Sequence, residues 1–374
     1  MKKAVLMLVA AWLFLVPYNM DAREEVRPLQ PVEVDSVEIN DFFWYKLRDS
    51  VRQYFPDVQK AVYEPEKQRE NLPNLLKQWN ELLPYVSLTG SLKGENDNAG
   101  RLRSALQVMH LAGNLNLLTG EGKYMDVVER VLYNEVAGAM HDRERAENTA
   151  DAASEVLAMP QWTYATQGTH LYVNFFLRSD VHVKTDSLDV RLRLVGSMPW
   201  YNKFMIVVEM DGPEQNFTLH LRLPSWVTER NMLPGMKIWS TRSIYSLSVN
   251  GENQFKHVEN GYLVVNRHWK NKDFVHFTIK DNILRINDPD RPGCIALQRG
   301  PLVYAFDNMA GRDSICLKPL SPINNRFDKE NACIRLYTHA FDRQGVETDT
   351  ITAIPYAWNR AELKDRVFVN QLMP

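Results

Sequence analysis

The spacing of apolar residues changes character near residue 160: before it the dominant period is three to four, after it two. Leu102, Leu106, Met109, Leu111, Leu115 and Leu118 predict a helix over 102–118. Thr119-Gly120-Glu121-Gly122 supplies a turn. A second helix over 123–140 follows, with Tyr124, Val127, Val128, Val131, Leu132 and Val136 along one face. Two helices joined by so short a turn make an αα-hairpin. Mixed spacing predicts further helix over 50–63 and 74–83, so that 36–140 reads as helical throughout. The segment 141–153, charged and rich in alanine, reads as a linker or a short surface helix.

Beyond residue 160, strands are predicted at 171–177, 187–194, 204–210, 217–223, 245–249, 261–265, 274–279 and within 294–306, with more at 334–337 and 366–369. The clearest alternation is Leu188, Val190, Leu192 and Leu194. Short strands separated by Gly, Pro, Asn and Asp turns predict a β-sandwich. The expected fold class is α+β and multidomain, with a helical part at 23–158, a β-sandwich at 159–285 and a C-terminal β segment or domain at 286–374.

At the N-terminus, Lys2 and Lys3 precede an apolar run from Ala4 to Val16, Pro17 and Asn19 break it, and Ala22 offers a small residue for cleavage. Residues 1–22 therefore read as a secretory signal peptide, with an exported, periplasmic or extracellular bacterial protein expected. The apolar run is too short to span a bilayer comfortably. A net charge of -2 gives no reason to expect nucleic acid as a partner. Cys294, Cys316 and Cys333 match no zinc spacing and are expected as buried free thiols. An exported chain also has the option of pairing two of them. The nine histidines are scattered without an H-x-x-x-H pair, although folding can gather some of them. No phosphate loop or nucleophile elbow is present.

Two acidic loops are the candidate chemistry. Glu95 and Asp97 lie in Gly94-Glu95-Asn96-Asp97-Asn98, and a carboxylate pair is the minimum equipment of an ordinary glycosidase. The competing reading is a solvated acidic turn. Asp288 and Asp290, in Asn287-Asp288-Pro289-Asp290, read as a turn.

Several segments, in order, resemble glycoside hydrolase family 127, whose founding activity is β-L-arabinofuranosidase. They include Val37-Glu38-Ile39-Asn40-Asp41-Phe42-Phe43-Trp44, the hairpin from Leu117-Leu118-Thr119-Gly120 to Tyr133-Asn134, and Met198-Pro199-Trp200. Leu221-Arg222-Leu223-Pro224-Ser225-Trp226, Arg299-Gly300-Pro301 and Ala353-Ile354-Pro355-Tyr356 continue the series. As a physical matter these β-region motifs read as scaffold. The resemblance implies a helical (α/α) barrel followed by β-sandwiches, and a substrate among arabinose-containing plant glycans.

It also implies a zinc-bound cysteine nucleophile and an acid/base glutamate. A metal-bound thiolate is a sensible nucleophile because the metal lowers the thiol pKa. The Glu-x-Cys ligand positions fall on Arg101, Leu102 and Arg103, and no cysteine precedes Cys294. No cofactor and no metal ligand is therefore expected. Glu95 corresponds to the acid/base glutamate when a gap is allowed. Twelve barrel helices alone need about 140 residues, more than 36–140 supplies, so the barrel is expected to be partial. Three readings follow: a shortened hydrolase with impaired or no catalysis, a non-catalytic carbohydrate-binding or accessory protein, and a hydrolase using carboxylates such as Glu95 and Asp97.

Overall fold

The computed structural model describes residues 28–61, 64–95, 97–141, 146–228, 233–239, 245–307, 315–358 and 366–372. The expected signal peptide lies outside the described residues. The fold is α+β: a helical layer followed by β-sheets.

Six helices precede the main run of strands: α1 (Phe42–Tyr54), α2 (Leu72–Leu82), α3 (Asn98–Thr119), α4 (Lys123–Val131), α5 (Ala137–His141) and α6 (Ala146–Thr163). The predicted hairpin is α3 and α4, with Gly120 in the left-handed conformation closing α3. A π-helical turn, Leu132–Val136, links α4 to α5. Every residue from 124 to 140 is buried, so this segment runs through the interior and not along a surface.

The first helix corrects the prediction over 50–63. It starts at Phe42, eight residues further back, capped by Asp41, which accepts from the Phe43 N–H at 2.9 Å and the Trp44 N–H at 3.2 Å. Pro56 disfavours helical geometry at Phe55 and ends it. Nor is 36–140 helical throughout, since Val37–Ile39 is a strand paired with Ser179–Lys184. The 141–153 segment is also corrected. Its described C-terminal part opens the 18-residue α6, which buries Ala152, Ala153 and Val156. Small side chains there let helices approach closely, as at Gly113 of α3, which faces the Trp162 ring of α6.

Among the described residues the strands form three sheets. One runs Gln30–Pro31, Tyr164–Gln167, His170–Val173, Gln215–Arg222, Tyr262–Trp269, Val258–Glu259. The second runs Glu252–Asn253, Tyr245–Val249, Phe274–Ile279, Tyr201–Glu209, Asp189–Ser197, Ser179–Lys184, Val37–Ile39. Alternating residues of the second sheet (Val190, Leu192 and Leu194; Phe204, Ile206 and Val208) join Leu171, Leu219 and Leu221 of the first in one buried core. The pairings are antiparallel with two exceptions among the described strands. His170–Val173 pairs parallel with Gln215–Arg222, and Cys316–Leu317 pairs parallel with Phe368–Gln371.

The third sheet is C-terminal. From Leu302–Phe306 it passes through Glu347–Pro355, Cys333–Phe341, Cys316–Leu317 and Phe368–Gln371 to Cys294–Arg299. Cys294–Arg299 pairs back to Leu302–Phe306, so this path closes on itself. No disulfide joins the three cysteines; Cys316 and Cys333 are buried as expected, whereas Cys294 is only half-buried, at the start of its strand.

Buried polar contacts weld the layers together. Arg222 donates to Asp126 and to Glu129, both at 2.5 Å, and to the Asn174 carbonyl at 2.7 Å. Glu129 also accepts from the Trp226 indole at 2.9 Å, and Asp126 from the Ser225 N–H at 2.9 Å. Towards the third sheet, Asn134 donates to the Pro301 carbonyl at 3.0 Å and accepts from the Val303 N–H at 2.8 Å.

Candidate functional site

The loop 87–95 turns back on itself before α3. Gly90 has a φ of +104°, and its missing side chain lets Val131 of α4 approach closely. This loop, the start of α3 and the C-terminal sheet enclose a polar cleft of about 410 Å³. Its charged lining is Lys93, Glu95, Arg101, Asp288, Asp290 and Arg291. The two acidic loops, almost two hundred residues apart in sequence, thus meet in one cleft, where Lys93 reaches Asp290 at 2.5 Å.

Arg101 lies at the inner end. Its guanidinium donates at 2.9 Å to both Thr89 Oγ1 and Glu135 Oε1, and Thr89 donates to Glu135 at 2.6 Å. Burial opposes the charge on Arg101, but Glu135 and Tyr356 together more than offset this and raise its pKa. Below it, Arg130 donates to the Leu88 carbonyl at 2.7 Å and to Gln298 at 3.3 Å, joining the loop to the third sheet. Burial pushes the Arg130 pKa down to about 10, against the pull of Asp126 and Glu129, which leaves it charged at neutral pH.

The sequence-predicted carboxylates take different positions. Glu95 is on the cleft wall, and a Cβ at Gly100 would run into its Oε2. Asp97 is the N-cap of α3, accepting from the Gly100 N–H at 2.8 Å. That bond holds its carboxyl below the ordinary range. Asp288 is buried and accepts from the Asp290 N–H at 3.0 Å, the turn geometry predicted for that loop.

Thr89, Arg130 and Glu135 are missed by sequence reasoning. The available signal is that Asp126, Glu129, Arg130, Asn134 and Glu135 interrupt an otherwise apolar stretch. Charges in a helix buried all round need buried partners.

Folding also gathers two of the scattered histidines. His170 Nδ1 and His220 Nε2 stand 2.8 Å apart on neighbouring strands, beside a separate cavity of about 210 Å³. The Tyr172 ring stacks on His220 at 4.2 Å.

The sandwich strands, from His170 to the end of Phe274–Ile279, are the part with a family match. Residues 170–280 match the model of the β-L-arabinofuranosidase GH127 middle domain. The resemblance to GH127 read from the ordered motifs thus holds over this segment. Solved structures of GH127 enzymes share the fold more widely. A GH127 β-arabinofuranosidase superposes with a TM-score of 0.70 at 22% identity, over 88% of this chain and 58% of its own. A GH127 β-L-arabinofuranosidase from Geobacillus stearothermophilus T6 gives 0.66 at 18% identity, over 88% and 59%. A further glycoside hydrolase gives 0.64 at 15% identity, over 88% and 65%. The chain therefore spans roughly six-tenths of the length of these GH127 structures. No protein of curated function matches it in sequence.

Proposed function

We propose that this chain is a shortened GH127-type protein that takes arabinose-containing plant glycans into the cleft between the 87–95 loop and the C-terminal sheet, with hydrolysis impaired or lost. The helical layer is read as the remnant of an (α/α) barrel. Export fits a glycan partner that is met outside the cytoplasm, and the signal-like residues 1–22 support it. Among the described residues no helix is long and apolar enough to cross a membrane.

The observation that carries this reading is the Arg101 cluster. The resemblance implies that the family's ligand motif falls on Arg101, Leu102 and Arg103, a stretch that carries two guanidinium groups. Guanidinium groups have no lone pair to give a metal, and Arg101 is committed to Glu135 and Thr89. The donor set does not fit zinc, so no step is assigned to a metal or a thiolate. What the cleft offers is Glu95 as a carboxyl for general acid work, with Lys93 and Arg101 as donors to sugar hydroxyls. Asp97, tied up as a helix cap, is the weaker half of the tentative pair.

The alternative is a non-catalytic binding or accessory protein, favoured by the same locked guanidinium. Titration calorimetry with arabinofuranosyl oligosaccharides tests the shared claim. Saturable binding lost in Arg101→Ala, with the melting transition still cooperative, is the expected result. A folded protein that binds none of them, or binds equally in the variant, contradicts it.

A further inference from the structure

We propose that His170 and His220 together chelate a divalent transition-metal ion, at a site separate from the cleft and independent of any cysteine. His170 and His220 lie on the parallel strands His170–Val173 and Gln215–Arg222. The register pairs His170 with Thr218 and Tyr172 with His220, so the two imidazoles are diagonal neighbours on one face of the sheet. Their Nδ1 and Nε2 atoms are 2.8 Å apart. Two imidazole nitrogens bound to one tetrahedral ion at about 2.0–2.1 Å lie about 3.3 Å apart. Opening the pair by about half an ångström, with each ring turned by roughly 35° so that both lone pairs converge on one point in the cavity, converts the hydrogen bond into a chelate.

Two features favour this over a hydrogen bond alone. The rings are already oriented: Tyr172 stacks on His220 at an interplanar angle of 11°, which limits the reorganisation needed. The pair opens on the cavity of about 210 Å³, whose lining includes Gln167 and Glu259. That leaves room for water to fill the remaining ligand positions.

Proton balance is simple. In the neutral pair one ring donates to the other; on binding, the donor ring shifts that proton to its other nitrogen, both freed lone pairs go to the metal, and no net proton leaves. Imidazole suits zinc, nickel and copper, not hard cations such as magnesium. Among the described residues no group of three or more His, Cys, Asp or Glu side chains is placed to hold a metal. The site is therefore a two-histidine chelate completed by water, weaker than a closed four-ligand site. Its effect is to staple the two parallel strands.

The test is calorimetric titration of tag-free full chain with zinc chloride, alongside thermal melting. One saturable zinc per chain is expected, with a rise in Tm that EDTA reverses and magnesium does not reproduce. His170→Gln, at a half-buried position, is expected to weaken binding by at least about tenfold. His220→Gln should do the same if it folds. Absence of zinc binding by the wild-type chain overturns the proposal. So does binding that is undiminished in His170→Gln, since zinc held elsewhere survives that substitution.

Discussion

At the scale of single residues, the strongest constraint is the buried Arg222 between Asp126 and Glu129. Removing one member of a buried, hydrogen-bonded set leaves uncompensated charge. Arg222→Ala is expected to cost about 3–5 kcal/mol, read from the urea midpoint; a loss below about 1 kcal/mol contradicts the weld. Asp41 gives a pH-dependent prediction. Burial raises its pKa from 3.8 to about 6, against the N–H groups of Trp44 and Phe43. The folded chain thus binds this proton more tightly than the unfolded chain. Its contribution to stability is full below about pH 4 and is lost as the pH rises through about 6. Asp41→Asn keeps an acceptor at the helix cap and removes the titration. Across pH 4 to 7 the wild-type chain should lose more stability than the variant, by on the order of 2 kcal/mol. Parallel pH profiles contradict this. The sequence made Arg222, Ser225 and Trp226 visible as a motif, but their partners Asp126 and Glu129 only folding could supply. Glu95 and Asp97 were equally visible, yet their division into a cleft wall and a helix cap rests on where α3 begins.

At the scale of elements, what was legible depended on how local the determining interaction is. The α3–α4 hairpin was readable because its apolar period and its Gly120 turn are local. Tyr245–Val249 and Phe274–Ile279 fell where alternation put them. The start of α1 was misplaced because Asp41, not apolar spacing, fixes it. The helical α6 was obscured because alanine gives little hydrophobic contrast, and its burial depends on fitting closely against α3. Gly113→Ala tests that fit. A methyl group there would overlap the Trp162 ring, and the backbone offers no easy retreat. A loss of about 1–3 kcal/mol is expected by denaturant titration. Unchanged or increased stability, as helix propensity alone predicts, would show that the packing yields. Closure of the C-terminal sheet was beyond local reading, since it joins Cys294–Arg299 to Phe368–Gln371 across more than seventy residues.

At the scale of the whole molecule, a GH127-type architecture is retained over a shorter chain than the solved structures it resembles. The interior remains filled: 124–140 is buried throughout, and its polar residues reach both the sandwich and the closed C-terminal sheet. A decayed scaffold would leave apolar helix faces open to water. Among the described residues, the large apolar side chains exposed on helices are instead few, chiefly Phe42, Tyr45 and Tyr54 on α1. The central claim is that this scaffold presents a saccharide cleft without the thiolate chemistry that the family resemblance implies. The most direct test is hydrolysis of a chromogenic β-L-arabinofuranoside by the purified chain, with added zinc, with chelator, and beside Glu95→Gln. The account predicts turnover at or barely above the uncatalysed rate under all of these conditions, from protein that melts cooperatively. Chelator-resistant turnover that disappears in Glu95→Gln would contradict it and show a working carboxylate site in the cleft.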